Sequence, residues 1–350
     1  MTARRDTRWR GLAATLRSGH AAARALAVGD SRSFVRALFL ASAVRLAVLS
    51  ELLVPRSLQD VAELTGATRP ERLEAWLDVG VATGELARRD GRYRVRGRRA
   101  RALADQDPVL TAHYRSLLDY QAGVYADLAD RLRDPPGDGR PDLEEHADVI
   151  AQVSLVAAPF VVPHLADAVA ELHPARVLDV GCGTGVYVRA LLAADSDVQV
   201  DGIDLATGVV ARGEAELRAA GLASRAGLHV GDIRDWTPDA DRRFGLITLI
   251  NDIYYFAAGD RPALYERLAT LLEPSGQLLV VTETRFGSVA SAHLHLLLAC
   301  QAGAASLPTE SELVADLERA GFEIVERHRL VPTEPFVGLR ARPTAPSAAS

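Results

Sequence analysis

A glycine-rich segment constrains this chain more than any other part of its sequence. Residues Val177–Val180 have the composition of a buried strand, and Gly181, Gly183 and Gly185 follow at alternate positions before a helical spacing of apolar residues begins. Glycine lets a backbone turn sharply and expose its N–H groups to a ligand at the start of a helix. The segment therefore predicts a strand, a tight turn and a helix that hold a nucleotide-like ligand.

Polar residues stand at the ends of the strands predicted after this turn. The next strand ends on Asp204, about 20 residues after the glycines, where a carboxylate can accept hydrogen bonds from both hydroxyls of a ribose. The third strand is followed by Asp232, which can meet the amino group of an adenine, and the fourth by Asn251. Strands that alternate with helices predict a doubly wound, mostly parallel sheet.

The sequence LDVGCGTG at 178–185 resembles the first motif of the class I S-adenosylmethionine-dependent methyltransferases. The G-x-G-x-G spacing differs from the G-x-G-x-x-G pattern of dinucleotide-binding proteins. The resemblance implies S-adenosylmethionine as the cofactor. It also implies that Asp179 holds the turn, that Asp204 binds the ribose, that Leu205 lies against the adenine and that Asn251 lies near the methionine end. The cofactor-binding residues that it implies are Asp179, Gly181, Cys182, Gly183, Gly185, Asp204, Leu205, Asp232, Ile233 and Asn251.

The N-terminal part is predicted to contain three helices, the first over 38–53, and a β-hairpin. Further helices are predicted over 108–133 and 145–172, with a loop at 134–139 between them. Ser57 and Pro70 are typical helix starts, and Asp90-Gly91 is a typical hairpin turn. Small-molecule O-methyltransferases of the caffeate and acetylserotonin type resemble this chain over nearly its whole length, and their N-terminal winged helix forms a dimer. The resemblance implies a homodimer with an α/β fold, in which an all-helical winged-helix domain precedes a Rossmann-like sheet with a terminal antiparallel strand. The predicted divisions are a dimerisation domain at 1–105, linking helices that contribute to the substrate pocket at 106–172, the methyltransferase domain at 173–342 and a disordered tail at 343–350.

Charge is distributed unevenly along the chain. Residues 1–101 contain 20 arginines and 10 acidic residues, whereas the remainder contains 20 arginines and 36 acidic residues. The arginine-rich hairpin would suit phosphates, so a DNA-binding regulator is an alternative. The third helix argues against it, because Glu71, Glu74 and Asp78 would face the polyanion where a base-reading helix normally carries Arg, Asn or Gln. We therefore favour dimerisation over nucleic-acid binding.

The composition is that of a soluble globular protein. Hydrophobic residues make up 48% and charged residues 25% of the 350 positions. Cys182 and Cys300 form no disulfide framework, and no apolar run reaches the roughly 18 residues of a membrane helix. We expect a cytoplasmic protein that does not bind membranes.

The expected catalytic base is missing from its usual place. The O-methyltransferases that the chain resembles have a His followed by an Asp after the fourth strand, where this chain has Tyr254 and Tyr255. Tyrosine, with a pKa near 10, is a poor base at neutral pH. His293 and His295, on the helix after the fifth strand, are the other candidates, although residues two apart on a helix cannot both face one ligand. The predicted catalytic residues are His295, His293 and Tyr254.

A metal is not expected. A site built from Asp252 and one of the two histidines is conceivable, since some related C-methyltransferases that act on 2-oxo acids use iron. However, no His-Asp pair stands at the matching strand end, so we predict none.

The sequence thus predicts a methyltransferase that acts on a small molecule, with O-methylation in bacterial secondary metabolism as the first interpretation. C- or N-methylation is an alternative, because such acceptors can manage without a strong base. A cofactor-binding enzyme that catalyses another reaction, such as a cyclisation, is a further alternative.

Overall fold

In the computed structural model, the described residues are 17, 19–133, 155–238, 242–301 and 305–344. The chain divides into two compact units, Met1–Ala126 and Asp127–Ser350. The division lies inside the segment 106–172 that was assigned to linking helices.

The first unit combines helices with a small antiparallel sheet of order β1-β3-β2, so the expectation of an all-helical domain was wrong. The hairpin turns at Asp90 and Gly91, whose φ angles of 50° and 72° are those of a tight two-residue turn. The elements of the first unit are α1 (Ala21–Arg45), β1 (Arg56–Ser57), α2 (Leu58–Thr65), α3 (Pro70–Ala82), β2 (Leu86–Arg89), β3 (Arg92–Val95), α4 (Arg98–Ala104), α5 (Pro108–Ser116), a π-helical turn (Leu117–Gln121) and α6 (Ala122–Ala126).

Local sequence signals set the ends of α2 and α3. Ser57 and Asp60 form a reciprocal capping box at the start of α2, and Gly66 ends it in the left-handed conformation. Pro70 is the first residue of α3, as predicted. The helix predicted over 38–53 differs, because α1 ends at Arg45 and Ala47 has a left-handed φ of 50°. The chain can then bury Val48 and Leu49 in the core of this unit.

The second unit is a seven-stranded sheet flanked by helices. Its elements are α7 (Leu128–Arg131), α8 (Ala158–Leu172), β4 (Arg176–Val180), α9 (Val186–Ala194), β5 (Gln199–Asp204), α10 (Thr207–Ala219), β6 (Ala226–Val230), β7 (Phe244–Ile250), α11 (Arg261–Leu271), β8 (Leu272–Glu283), α12 (Val289–Ala299), α13 (Glu310–Arg319), β9 (Phe322–Arg329) and β10 (Phe336–Pro343). The helix predicted over 108–133 is interrupted by the π-helical turn.

The strand order is β6-β5-β4-β7-β8-β10-β9. The first five strands are parallel, and β10 runs antiparallel to both of its neighbours. This confirms the doubly wound sheet and the terminal antiparallel pair. The order reverses between β4 and β7, so their carboxyl ends form the crevice in which open α/β sheets bind ligands.

Helix α8 packs on the sheet through Val161, Leu165 and Val169, which are fully buried. The stretch Leu155–Leu172 is the one helix of the described residues with the length and apolar composition of a membrane span. Its buried face belongs to the core of the second unit. The predicted helix over 145–172 is seen only from 155, and both its first part and the predicted loop at 134–139 lie outside the described residues.

The last strand extends further than expected. Pro343 is part of β10, and the Thr344 amide donates to the carbonyl of Gly321 over 2.7 Å. The predicted disordered tail was therefore wrong for these two residues, because Pro343 pairs with Phe322 of β9 and Thr344 is hydrogen-bonded to Gly321. Residues 345–350 lie outside the described part of the chain.

Candidate functional site

The glycine turn joins β4 to α9 at the reversal of strand order. Gly181, Gly183 and Gly185 have φ angles of 69°, 54° and 73°, a left-handed region that residues with a Cβ rarely adopt. A Cβ on Gly181 would lie 2.5 Å from Cγ of Asp252, whereas one on Gly183 would meet nothing closer than 4.0 Å. Packing thus requires glycine at Gly181, while the space in front of Gly183 is open to a ligand.

The backbone N–H groups of the turn donate hydrogen bonds to other groups of the protein. The N–H groups of Gly181 and Cys182 both donate to the Ile203 carbonyl, over 2.8 and 3.1 Å, and that of Gly183 donates to Oδ2 of Asp204 over 2.9 Å. The expectation that these N–H groups are free for a ligand was wrong, because the end of β5 lies beside them. What the glycines offer a ligand is close approach to the main chain.

Asp204 ties this turn to the next helix. Its Oδ2 accepts from Gly183, and its Oδ1 accepts from the amide of Ala206 over 2.9 Å. Each carboxylate oxygen has a second lone pair, so the predicted contacts with two ribose hydroxyls are still possible. Among the described residues, Asp204 rather than Asp179 is hydrogen-bonded to the backbone of the turn.

Asp179 lies beneath the turn and is only 1% exposed. Its Oδ1 accepts from the Thr248 hydroxyl over 2.6 Å, while its Oδ2 is buried and has no partner among the described residues. Burial raises the pKa of Asp179 to about 7, although the Thr248 hydrogen bond opposes this rise. Because buried polar atoms usually have a hydrogen-bond partner, the unpartnered Oδ2 is a candidate acceptor for a donor group of a ligand.

We expect Thr248→Val to lower the free energy of unfolding by about 1–3 kcal/mol, because the isosteric change leaves a buried carboxyl without its donor. Chemical denaturation at neutral pH measures this. Thr270→Val, at an exposed position on α11, is the control and should change stability by less than about 0.5 kcal/mol. Equal stability of the two variants would contradict the role given to Thr248.

Asp252 is a site residue to which the sequence analysis assigned only a conceivable metal site. Asn251 has a left-handed φ of 53°, which turns the chain after β7 and brings the Asp252 carboxyl against Gly181. Burial, together with the carboxylates of Asp204 and Asp179, raises the pKa of Asp252 to about 7. The signal in the sequence that could have identified Asp252 as a site residue is its position directly after a strand.

Of the residues predicted to lie at the adenine, Leu205 is exposed, whereas Asp232 already forms hydrogen bonds with another residue. Leu205 is 69% exposed, so its side chain is available to an aromatic ring. Asp232 already accepts from the guanidinium and the amide of Arg234, which hold the pKa of this carboxyl below its usual range. Ile233 is buried in the core beneath. An adenine amino group would therefore compete with Arg234 for Asp232.

Cys182 contributes packing. Its side chain is 5% exposed and lies against Gly202, where a Cβ would come within 2.9 Å of the cysteine Sγ. Burial raises the pKa of the thiol far above its usual value, so a reactive thiolate does not form at neutral pH.

Tyr254 follows strand β7 and lies within a small apolar cluster with Leu298 and Leu307. The ring is 6% exposed and meets the Tyr255 ring at 4.9 Å between centroids. Burial raises the pKa of the Tyr254 phenol well above its usual value. The phenol can donate a hydrogen bond but cannot take a proton at neutral pH.

The two histidines lie on α12 and are both partly buried. Burial, and to a smaller extent Arg285, lowers the pKa of His295, whose Nδ1 is buried without a partner among the described residues. A neutral imidazole of this kind can accept a proton.

Glu283, the last residue of β8, was missed by the sequence analysis. Burial, reinforced by Glu334, raises the pKa of Glu283 to about 7. Its position at the carboxyl end of the fifth parallel strand was the available signal. Within the described residues, no group of three or more His, Cys, Asp or Glu side chains could hold a metal ion.

Comparison with known proteins is consistent with this geometry. Residues 177–276 match the family model of the methyltransferase domain. A ribosomal RNA large subunit methyltransferase G of Alcanivorax borkumensis is 31% identical over 151 residues, which are 41% of this chain and 37% of that protein. The chain thus spans little more than a third of the length of the curated relatives that it matches.

Solved structures match nearly the whole chain. A mitomycin 7-O-methyltransferase has a TM-score of 0.77 at 20% identity, covering 93% of this chain and 99% of that one. An O-methyltransferase from neocarzinostatin biosynthesis, in complex with S-adenosylmethionine and 2-hydroxy-5-methyl naphthoic acid, has a TM-score of 0.67 at 20% identity and covers 89% and 96%. The N,N-8-amino-8-demethyl-D-riboflavin dimethyltransferase of Streptomyces davawensis has a TM-score of 0.69 at 19% identity and covers 93% and 99%. These likenesses confirm the predicted fold.

Proposed function

We infer that this chain is a class I methyltransferase, as its matched domain and its fold support, and that it uses S-adenosylmethionine to methylate a small molecule. One observation supports this most directly. Asp179 is buried and Asp252 is partly buried beside the glycine turn, and no basic side chain of the described residues acts on the pKa of either carboxyl. S-adenosylmethionine carries a sulfonium and an ammonium group, and these positive charges suit two carboxyls that have no cation of their own.

The bound cofactor supplies a methyl group that its positive sulfur has already activated. The protein then mainly has to bring the acceptor into line with that methyl, and orientation alone can contribute about 7–11 kcal/mol. Asp204 fixes the glycine turn, and the unpartnered Oδ2 of Asp179 would accept a hydrogen bond from the bound cofactor. The apolar cluster around Tyr254 limits the access of water on the acceptor side.

Within this activity we propose O-methylation in bacterial secondary metabolism, by a cytoplasmic homodimer that pairs through its N-terminal unit. Two similar structures are those of O-methyltransferases, which favours this reaction. The free Cys182 and Cys300 favour a reducing compartment. Arg88 pairs with Glu74 and Asp78 of α3, over 2.9 and 3.5 Å, so α3 offsets part of the charge of the hairpin and favours a partner other than nucleic acid.

Methylation of nitrogen is a second candidate. The site lacks the histidine of the resembled O-methyltransferases, and the phenol that replaces it is held protonated by burial. An amine acceptor has a lone pair and needs no strong base to attack the methyl group.

Incubation with methyl-labelled S-adenosylmethionine and matched phenols, amines and 2-oxo acids tests the reaction. Transfer to a small acceptor, together with saturable binding of S-adenosylhomocysteine in calorimetry, is the expected result. A purified protein that does not bind S-adenosylhomocysteine would overturn the proposal.

With an acceptor from that screen, we expect Tyr254→Phe to retain turnover, since its phenol does not act as a base. His295→Ala should lower kcat if its imidazole takes the proton, and His293→Ala, on another face of α12, is the matched control. Steady-state kinetics measures both. Strong loss of kcat in Tyr254→Phe with unchanged cofactor binding would show that the phenol contributes to catalysis.

A further inference from the structure

Tyr187 lies in the first turn of α9, directly after the glycine turn. The residue is 8% exposed, so its side chain is more than nine-tenths buried. Its hydroxyl is buried and has no hydrogen-bond partner among the described residues. A buried hydroxyl without a partner costs free energy, and native structures rarely keep one unless a ligand or a water molecule completes it.

Asp179 lies on the same side of the sheet as Tyr187. Val177 and Asp179 are alternate residues of β4 and therefore share one face of the strand. Val177 belongs to the apolar cluster that contains Tyr187, so the Asp179 carboxyl lies on the face that α9 covers. Burial raises the pKa of the Tyr187 phenol, and the Asp179 carboxylate raises it further, which shows that the two groups are close enough to interact.

Two unsatisfied oxygens thus lie at the carboxyl end of β4. Oδ2 of Asp179 and the hydroxyl of Tyr187 are not hydrogen-bonded to each other, since each is without a partner in the described part of the chain. Both oxygens can accept a hydrogen bond. Asp252, which lies against Gly181, adds a second carboxyl, and no basic side chain of the described residues acts on the pKa of Asp179, Asp252 or Tyr187. This arrangement favours a small cation with several N–H donors over an anion.

We propose that the Tyr187 hydroxyl accepts a hydrogen bond from the ammonium group of the cofactor's methionine part, beside Oδ2 of Asp179. The inference depends on the proposed methyltransferase function and adds to it a binding residue for the amino-acid end of the cofactor. An ammonium group has three donors and can serve both oxygens at once, with a charge-assisted hydrogen bond to the carboxylate. Without the Tyr187 hydroxyl, one donor of a desolvated ammonium group would lack this acceptor.

Tyr187→Phe removes the hydroxyl and keeps the ring. We expect it to weaken S-adenosylhomocysteine binding to the full chain by about tenfold or more in titration calorimetry, because a hydrogen bond to a charged group is lost. The unfolding midpoint of the unliganded chain should stay the same or rise, because the variant loses a buried hydroxyl that has no partner there. A merely structural role of the hydroxyl would instead lower that midpoint.

Tyr265→Phe is the matched control. Tyr265 is fully buried on α11, and its hydroxyl is likewise without a partner among the described residues. Its apolar cluster includes Leu178, which points to the other face of β4. We therefore expect this variant to bind S-adenosylhomocysteine like the parent.

Two further ligands test which part of the cofactor the hydroxyl contacts. 5′-Methylthioadenosine has the same nucleoside and thioether but no amino-acid part, whereas decarboxylated S-adenosylhomocysteine keeps the amine and lacks the carboxylate. Tyr187→Phe should bind the first like the parent and the second about tenfold more weakly than the parent does.

The inference is wrong if Tyr187→Phe binds S-adenosylhomocysteine like the parent, if it loses as much affinity for 5′-methylthioadenosine, or if it binds the decarboxylated ligand like the parent. Tyr187→Leu, which also lacks the hydroxyl, is the second test variant, so that the proposal remains testable if Tyr187→Phe does not fold. A parent chain that fails to bind S-adenosylhomocysteine would instead count against the proposed function.

Discussion

Gly181→Ala is expected to abolish measurable S-adenosylhomocysteine binding and to destabilise the second unit. The residue has a φ of 69°, and a Cβ there would come within 2.5 Å of the Asp252 carboxyl carbon. The left-handed conformation costs roughly 1–2 kcal/mol for a residue with a Cβ. The clash adds to this cost, because it displaces a buried carboxyl from its position beneath the turn. Calorimetric titration and chemical denaturation measure the two effects.

Variants at two other glycines distinguish the effect of backbone strain from that of steric contact. Gly66→Ala has a similar φ of 66° and meets no atom within 4 Å, so it should cost backbone strain alone and leave cofactor binding intact. Gly183→Ala also meets nothing closer than 4.0 Å, so it should fold and yet bind the cofactor weakly, since its methyl group occupies the ligand side. Binding by Gly181→Ala equal to that of Gly66→Ala would contradict this account of the turn.

Asp204→Asn should weaken S-adenosylhomocysteine binding by roughly 10- to 150-fold. Hydrogen bonds to a charged group are worth about 1.5–3 kcal/mol each, and the variant loses the charge that favours the ribose hydroxyls. It also presents an amide N–H₂ to one of two backbone donors, Gly183 and Ala206, which disturbs the turn itself. Titration calorimetry with a fixed cofactor analogue measures the change.

Two further aspartates serve as comparisons for Asp204. Asp197→Asn, exposed before β5, should leave the affinity unchanged. Asp232→Asn should have a smaller effect than Asp204→Asn, because Arg234 already occupies the Asp232 carboxylate. A larger loss in Asp232→Asn would mean that the adenine contact outweighs the ribose contact.

Much of the cofactor side could be predicted from local patterns. Three glycines after an apolar run specify a tight turn, and an acid at the end of the next strand must lie nearby, because parallel strands end at one edge of the sheet. Asp204 does lie beside Gly183. The use of the turn amides was not predictable, since it depends on how closely the Ile203 carbonyl approaches them.

The acceptor side was less accessible to sequence reasoning. Asp252 and Glu283 are acids after strands, like many others, and burial alone distinguishes them. That burial arises from residues distant in sequence, such as the loop before β10 that carries Glu334. Tyr254 was judged a poor base from its intrinsic pKa, and its burial with Leu298 and Leu307 raises that pKa further.

The sequence alone determined the class of fold, the glycine turn and the capped helix starts, because each depends on residues within a few positions of one another. Tertiary structure decided where helix α1 ends, which amides remain free and how far burial raises the pKa of each carboxyl. Those properties depend on desolvation and on atoms from separate strands, and both arise only when the sheet has formed.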